Sequence, residues 1–350
     1  MYTADTTEGR HLVANPYFHQ VDPTGQQLPY ISEQDEVYKN DNEVRLLSIV
    51  NGDVDYKAQS LQLASAPALL DGQAQGNYTV DLRPEITLGV FSFNVTHEDE
   101  AKRNVFGDIR FREAMSIAIN RAELNDVGFF GEGTPQQYIG FSPKPAFVSD
   151  KWMSHATEFD AARANSLLDE IGMKDTDGDG FRELPNGDKL VLNMSFATQG
   201  IAGQTVELVG QYWADVGVQS VVKEVTPDEF RSAQSANKLD VMMWRKSQPL
   251  AIVLGNNELW VPPFENYFGV RTGMLWAEWV DSNGANGVEP PAYVKELISD
   301  INAFQSADQS SDEFKVLGER MVKNMVENLL FIGTAVSYTH LRAHETTPHR

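Results

Sequence analysis

Residues 190–244 read LVLNMSFATQGIAGQTVELVGQYWADVGVQSVVKEVTPDEFRSAQSANKLDVMMW. Apolar side chains alternate at Leu190, Leu192, Met194 and Phe196, the period of a strand with one buried face. Val206, Val209, Trp213 and Val216 then recur at helical spacing, and Gly217 stops the run. Ser220 to Val225 is a second strand. "PDEFRSAQSAN" is a helix capped at Asp228 or a close neighbour, and Leu239 to Trp244 is a third strand. This order predicts a βαβαβ unit, with parallel strands and right-handed crossovers. Ligands of such sheets lie beyond the carboxyl ends of the strands. Those ends carry Thr198, Gln199 and Gly200 after the first strand, and Trp244, Arg245 and Lys246 after the third. Thr198, Gln199, Trp244 and Arg245 are therefore candidate ligand-binding residues. The competing reading gives Trp244 a packing role under the crossover and Arg245 a surface ion pair.

Immediately upstream, "KDTDGDGFRE" (174–183) sets Asp175, Asp177 and Asp179 at alternate positions before Gly180. That spacing can aim three carboxylates at one hard cation, with Glu183 as a further ligand. An EF-hand is excluded: position twelve counted from Asp175 is Asn186, and a turn and strand follow instead of a helix. A solvated turn and a turn holding a structural calcium both fit, and in either case the loop is scaffold.

Outward from this core the pattern stays α/β. Residues 41–55 predict a helix with a stripe of Val44, Leu47 and Val50, ended by Gly52. Asp108 caps a helix burying Phe111, Met115 and Ala118; Asn120 and Glu123 open the next in a capping-box arrangement. Ala164, Leu167, Leu168 and Ile171 share one face of a helix that Gly172 terminates. Residues 247–287 read as irregular and carry Trp260, Phe264, Tyr267, Trp276 and Trp279; Trp260 and Trp276 are candidate ligand platforms. Two amphipathic helices follow, one opening at Pro290-Pro291 and one over about 312–329.

The composition narrows the function. The chain has 350 residues, 41% hydrophobic, enough for one large core or two lobes. Its net charge of -22 repels phosphate backbones, which argues against a nucleic-acid partner. There is no cysteine, hence no disulfide, thiolate metal site or cysteine nucleophile. No apolar run reaches membrane-spanning length. Neither GxGxxG, GxxxxGK[ST], GxSxG nor HExxH occurs, and no carboxylate pair stands out among 50 acidic residues. Residues 337–350, "SYTHLRAHETTPHR", hold His340, His344 and His349 without apolar periodicity. They resemble tails read out of sequencing adapter and are set aside as non-native.

Five segments in order, "NPYFHQVDPTGQQLPYI", "VNGDVDY", "FGDIRFREAMSIAINRAEL", "FDAARANSLLDEIGMKDTDGDGFRE" and "QYWADVGVQSVVKEV", carry a resemblance to the family 5 extracytoplasmic solute-binding proteins of ABC importers. The resemblance covers about residues 9–336. It implies a two-lobed α/β fold of the periplasmic-binding-protein kind (type II, large cluster), mostly its second lobe. Residues 1–58 would be part of the first lobe, 59–336 the second, and 337–350 the non-native tail. It also implies an extracytoplasmic monomer without catalysis, requiring no cofactor, that delivers a small solute to a membrane permease. The export signal and much of the first lobe are expected to be missing, and the chain alone is expected to bind weakly. Peptide-binding members carry an aspartate soon after the strand-ending tryptophan, to meet an ammonium group. Here Arg245 and Lys246 follow Trp244, and no aspartate appears before Asp281. The expected solute is therefore an oligosaccharide or another neutral or anionic molecule. A peptide, with Glu258 as counter-charge, is the alternative, and a carboxylate-dependent hydrolase the third reading.

Overall fold

The computed structural model describes residues 2–39, 41–57, 61, 65–81, 86–129, 131, 133–246, 248–265, 269–337 and 342–345. The chain divides into two units, residues 1–81 with 341–350, and residues 82–340.

The first unit begins with an antiparallel meander of β1 (Tyr2–Asp5), β2 (Gly9–Val13) and β3 (Glu33–Val37). Then come α1 (Asn42–Val50), β4 (Tyr56–Lys57), α2 (Ala66–Gly76) and β5 (Tyr78–Asp81). Asp41 caps α1 by accepting from the amides of Glu43 and Val44. Of the anticipated stripe on α1, Val50 packs inward and the other two residues do not. Val44 and Leu47 are exposed, whereas Ile49, Leu46 and Val50 pack with Leu69 of α2 and Tyr78 of β5. Tyr78 donates its hydroxyl to the Leu69 carbonyl at 2.7 Å. These contacts tie residues 66–81 to the first unit, so the boundary falls after Asp81, not after residue 58.

The second unit starts with β6 (Ile86–Phe93), α3 (Glu100–Gly107), α4 (Ile109–Ile117), α5 (Arg121–Gly128), β7 (Gly133–Pro135) and α6 (Ala161–Glu170). The predicted alternation follows as β8 (Val191–Phe196), α7 (Gly203–Asp215), β9 (Gln219–Glu224), α8 (Pro227–Ser235) and β10 (Val241–Lys246). The segment expected to be irregular contains α9 (Leu250–Val253) and α10 (Met274–Asp281). The unit continues through α11 (Ala292–Ser306), α12 (Asp312–Glu327), β11 (Ile332–Gly333) and β12 (Ala335–Ser337). A last strand, β13 (Arg342–Glu345), pairs with β4 and β5 and so belongs to the first unit. Over these four residues the segment set aside as a tail is part of a sheet, because it bridges two strands that do not pair with each other. His340 and His349 lie outside the described residues, as does Tyr267.

The βαβαβ order is present, but its sheet is split. β8 and β9 form a parallel pair in register from Val191 with Gln219 to Phe196 with Glu224. β10 instead pairs antiparallel with β6, from Val241 with Phe93 to Lys246 with Thr87. β6 also receives β11 and β12. Side chains explain the split. At the start of β10, the Asp240 carboxylate accepts from the Asn193 amide of β8 at 2.9 Å, where a ladder carbonyl would otherwise sit. The same carboxylate holds Lys102 at 2.8 Å and His97 at 3.2 Å. At the other end, the Arg245 amide donates to the Gly200 carbonyl at 3.0 Å. The β8–β10 seam is thus pinned at its ends.

Strand alternation sorts the core. Phe91 and Phe93 of β6 meet Trp213 of α7 at 5.7 and 5.3 Å, and Phe93 also meets Phe111 of α4 at 4.9 Å. Val90 faces the other way, into a cluster that includes Trp244, Phe304 and Phe331. Predicted inward faces hold in α4 and α7, including Met115 and Val209, and the amphipathic α11 and α12 bury Ile301 and Met321. Asp108 and Asn120 are caps as read, while Thr226, one residue before Pro227, caps α8 in place of Asp228. Among the described residues no helix is long and apolar enough to cross a membrane.

Candidate functional site

The carboxyl ends of β9, β8 and β10 lie side by side. Val225, just past β9, donates its amide to the Phe196 carbonyl of β8 at 2.8 Å. On the other flank Gly200, four residues past β8, is bonded to Arg245. The turn 197–200 therefore occupies the middle of a ledge, with β9 on one side and β10 on the other.

Thr198 and Gln199 sit exposed on that turn, and the Thr198 hydroxyl donates to the Glu224 carboxylate at 3.1 Å. Arg245 is exposed, and among the described residues its guanidinium pairs with no carboxylate. Crowding at the strand end desolvates it and lowers its pKa. Thr198, Gln199 and Arg245 are thus brought together as the strand-end rule anticipated.

Trp244 lies just beneath them, 6% exposed. Its ring packs against Phe230 of α8 at 5.4 Å, with the Arg231 guanidinium 5.9 Å from its centroid. A Cβ on Gly200 would fall 2.0 Å from the indole, so only glycine lets the turn lie flat on it. Trp244 supports the ledge as packing. Trp260 is wholly buried, tilted on Phe141 at 5.0 Å and pressed against Gly140. Trp276 is 6% exposed and edge-on to Tyr293. Trp279 is half-buried with the Lys295 ammonium over its ring at 5.3 Å. The tryptophans that sequence offered as stacking platforms are thus occupied by protein neighbours, because α9 and α10 fold this segment into the core.

Lys246 requires a correction. It was read as a second cation beside Arg245, but strand alternation turns it inward, and its ammonium is fully buried. It donates to the carbonyls of Phe264 and Val270, the latter at 3.0 Å, and lies 3.5 Å from the Glu265 carboxylate. Burial pulls its pKa down to about 8, against the opposing pull of Glu265. Among the described residues the exposed ledge therefore carries one cation, Arg245, and one carboxylate, Glu224, the latter missed because a terminal Glu of a strand has no sequence signature. Glu258 follows α9, where its amide bonds the Asn256 side chain.

At the amino end of β8 the aspartate loop does bring its carboxylates together. Ligand atoms of Asp175, Asp177, Asp179 and Glu183 lie within 4.8 Å of one another. Asp175 accepts from the amides of Gly178 and Gly180, and Glu183 from the amide and hydroxyl of Thr176. Lys189 reaches Asp177 at 2.8 Å and Asp179 at 2.7 Å, standing where a cation's charge would be. Beside the loop lies a polar 390 Å³ cavity lined by Asp169, Asp175, Arg182 and Asp215. Its arginine is engaged by the carbonyls of Val216 and Met173 and the side chains of Asp169 and Asn165.

Comparisons with known proteins bear on the family and the fold. A periplasmic α-galactoside-binding protein of Rhizobium meliloti is 26% identical over 347 residues, 92% of this chain and 47% of that protein. A probable ABC transporter-binding protein of Deinococcus radiodurans is 27% identical over 187 residues, 51% of this chain and 31% of its own length. The chain thus spans about half or less of the curated relatives it matches. Among solved structures, the oligopeptide-binding protein OppA superposes with a TM-score of 0.71 at 29% identity, covering 99% of this chain and 57% of OppA. MelB of Agrobacterium fabrum C58, in complex with stachyose, gives 0.75 at 21% identity, covering 98% and 52%. These matches confirm the expected two-lobed periplasmic-binding-protein fold class. Residues 2–250 match the middle region of the family described as bacterial extracellular solute-binding proteins, family 5, and the chain belongs to that family.

Proposed function

We propose that this chain is the solute-recognition part of an ABC importer's extracytoplasmic receptor, and that its solute is an oligosaccharide. The carrying observation is the ledge: Thr198, Gln199, Glu224 and Arg245 exposed together on three strand ends, with their packing completed beneath by Trp244 and Gly200. Such a surface offers hydrogen bonds to polar groups. The similarity to an α-galactoside-binding protein over 92% of the chain supports the sugar reading. A peptide is the alternative, favoured by the likeness to OppA. With Lys246 buried, repulsion of an ammonium rests on Arg245 alone, so the case against peptides is weaker than the sequence suggested.

The receptor would act as a monomer outside the cytoplasm and hand its solute to a membrane permease. No cofactor enters the reading; a calcium ion in the aspartate loop would serve stability, at the end of β8 remote from the ledge. Calorimetry against stachyose and a di- to pentapeptide set tests the proposal. Stoichiometric sugar binding without product supports it. Turnover overturns the receptor reading, and tight peptide binding lost on amino-terminal acetylation overturns the sugar.

A further inference from the structure

Building on the receptor reading, we propose that Glu224 is a specificity-determining residue of the ledge, accepting hydrogen bonds from sugar hydroxyls while Arg245 donates to others on the same solute. Glu224 ends β9 and is exposed. Its recorded partner is the Thr198 hydroxyl, and no cation pairs with it among the described residues. A carboxylate offers about four lone-pair positions, so roughly three remain open here. The Thr198 bond fixes the carboxylate's orientation before any solute arrives, which lowers the entropy lost on binding.

Arg245 holds the opposite flank, where its amide donates to Gly200 at the far end of the turn. Its guanidinium supplies donors only. Between acceptor and donor lie Thr198, whose hydroxyl proton is held by Glu224 and whose oxygen still accepts, and Gln199, whose amide both donates and accepts. A sugar hydroxyl also does both at once, so the order of groups along the ledge suits a chain of hydroxyls longer than one ring. A zwitterionic peptide would instead set its ammonium on Glu224 and its carboxylate on Arg245. It would leave the donor–acceptor middle to a backbone whose amide and carbonyl have fixed roles. The residues in the middle therefore favour the sugar.

The test measures affinity of the intact chain for stachyose and for trialanine, with Glu224→Ala, Glu224→Gln and, as a surface control, Glu313→Ala. Stachyose affinity should fall at least tenfold in Glu224→Ala and less in Glu224→Gln, which keeps an acceptor; Glu313→Ala should bind as the parent does. Unchanged melting temperatures would separate this loss from unfolding. Wild-type stachyose affinity in Glu224→Ala would overturn the assignment while leaving the receptor reading intact. Trialanine bound more tightly than stachyose, and lost in Glu224→Ala, would show that the carboxylate meets an ammonium. The chain alone is expected to bind weakly, so solutes are titrated to millimolar concentration, and binding of neither there overturns the receptor reading and the assignment with it.

Discussion

The two ends of β8 handle charge in opposite ways. Before the strand, the aspartate loop closes its charges on itself: backbone amides serve Asp175, Thr176 serves Glu183, and Lys189 spans Asp177 and Asp179. After the strand, Glu224 and Arg245 stand apart on the ledge without ionic partners among the described residues. The more conspicuous motif in the sequence is thus the more self-sufficient in the structure. Charges that answer one another make scaffold, whereas charges kept apart by a rigid turn stay open to solvent.

Changes at four places would break or sharpen this contrast. The largest effect belongs under the ledge. Gly200→Val would drive a side chain into the Trp244 indole, where a Cβ already falls at 2.0 Å. Overpacking of this kind costs about 3 kcal/mol, and the urea midpoint should drop accordingly, with Trp244 fluorescence altered. A wild-type midpoint would mean that the ledge does not rest on this contact.

On the loop side, Arg182→Met removes the donors to the carbonyls of Val216 and Met173. Unsatisfied buried carbonyls should lower stability by roughly 2 kcal/mol. A loss below a few tenths would show that the loop closes without its arginine.

Lys246 gives a pH-dependent effect behind the ledge. Its folded-state pKa is about 8 against an ordinary 10.5, so between these values the unfolded chain binds more protons. Stability from this group is therefore fully present above 10.5 and lost as pH falls through 8. Relative to Lys246→Met, the wild type should gain up to about 1.4 kcal/mol per pH unit within that window. Chemical denaturation at pH 7.5, 8.5 and 9.5 reads the difference, and a pH-independent gap would refute the buried, proton-poor ammonium.

The smallest effect is expected at the aspartate loop. Lys189→Met should leave the melting temperature unchanged in moderate salt, since exposed pairs are screened. If calcium binds there, millimolar amounts should raise the melting temperature, more so in Lys189→Met, and Asp177→Ala should abolish the rise. No response to calcium in either protein would leave Lys189 as the loop's own counter-ion.

Local signals carried most of the fold. Periodicity located β8, α7, β9, α8 and β10, and glycines ended helices as read, Gly172 and Gly217 with φ of 85° and 81°. Pairing was less legible: nothing in "LDVMMW" says that β10 joins β6, more than a hundred residues earlier, because the deciding group is the side chain of Asp240 reaching β8. The inward face of α1 was misread because Val44 and Leu47 match a helical stripe as well as Leu46 and Ile49 do. On the ledge, the strand-end rule named Thr198, Gln199 and Arg245, which do lie together. It could not say that Lys246 turns inward, that Trp244 and Trp260 are walled in, or that Glu224 completes the ledge.

The seam between β8 and β10 has an evolutionary consequence. In a continuous ladder, inserting or deleting one residue slips the register of every neighbouring strand and turns buried side chains outward. Here a carboxylate at one end and one backbone bond at the other replace the ladder. Length changes in the β8–α7–β9 segment can be absorbed at that joint without re-registering β10 on β6. A lineage could therefore redraw the turns of the ledge by insertion as well as by substitution, while the sheet that carries the core stays as it is.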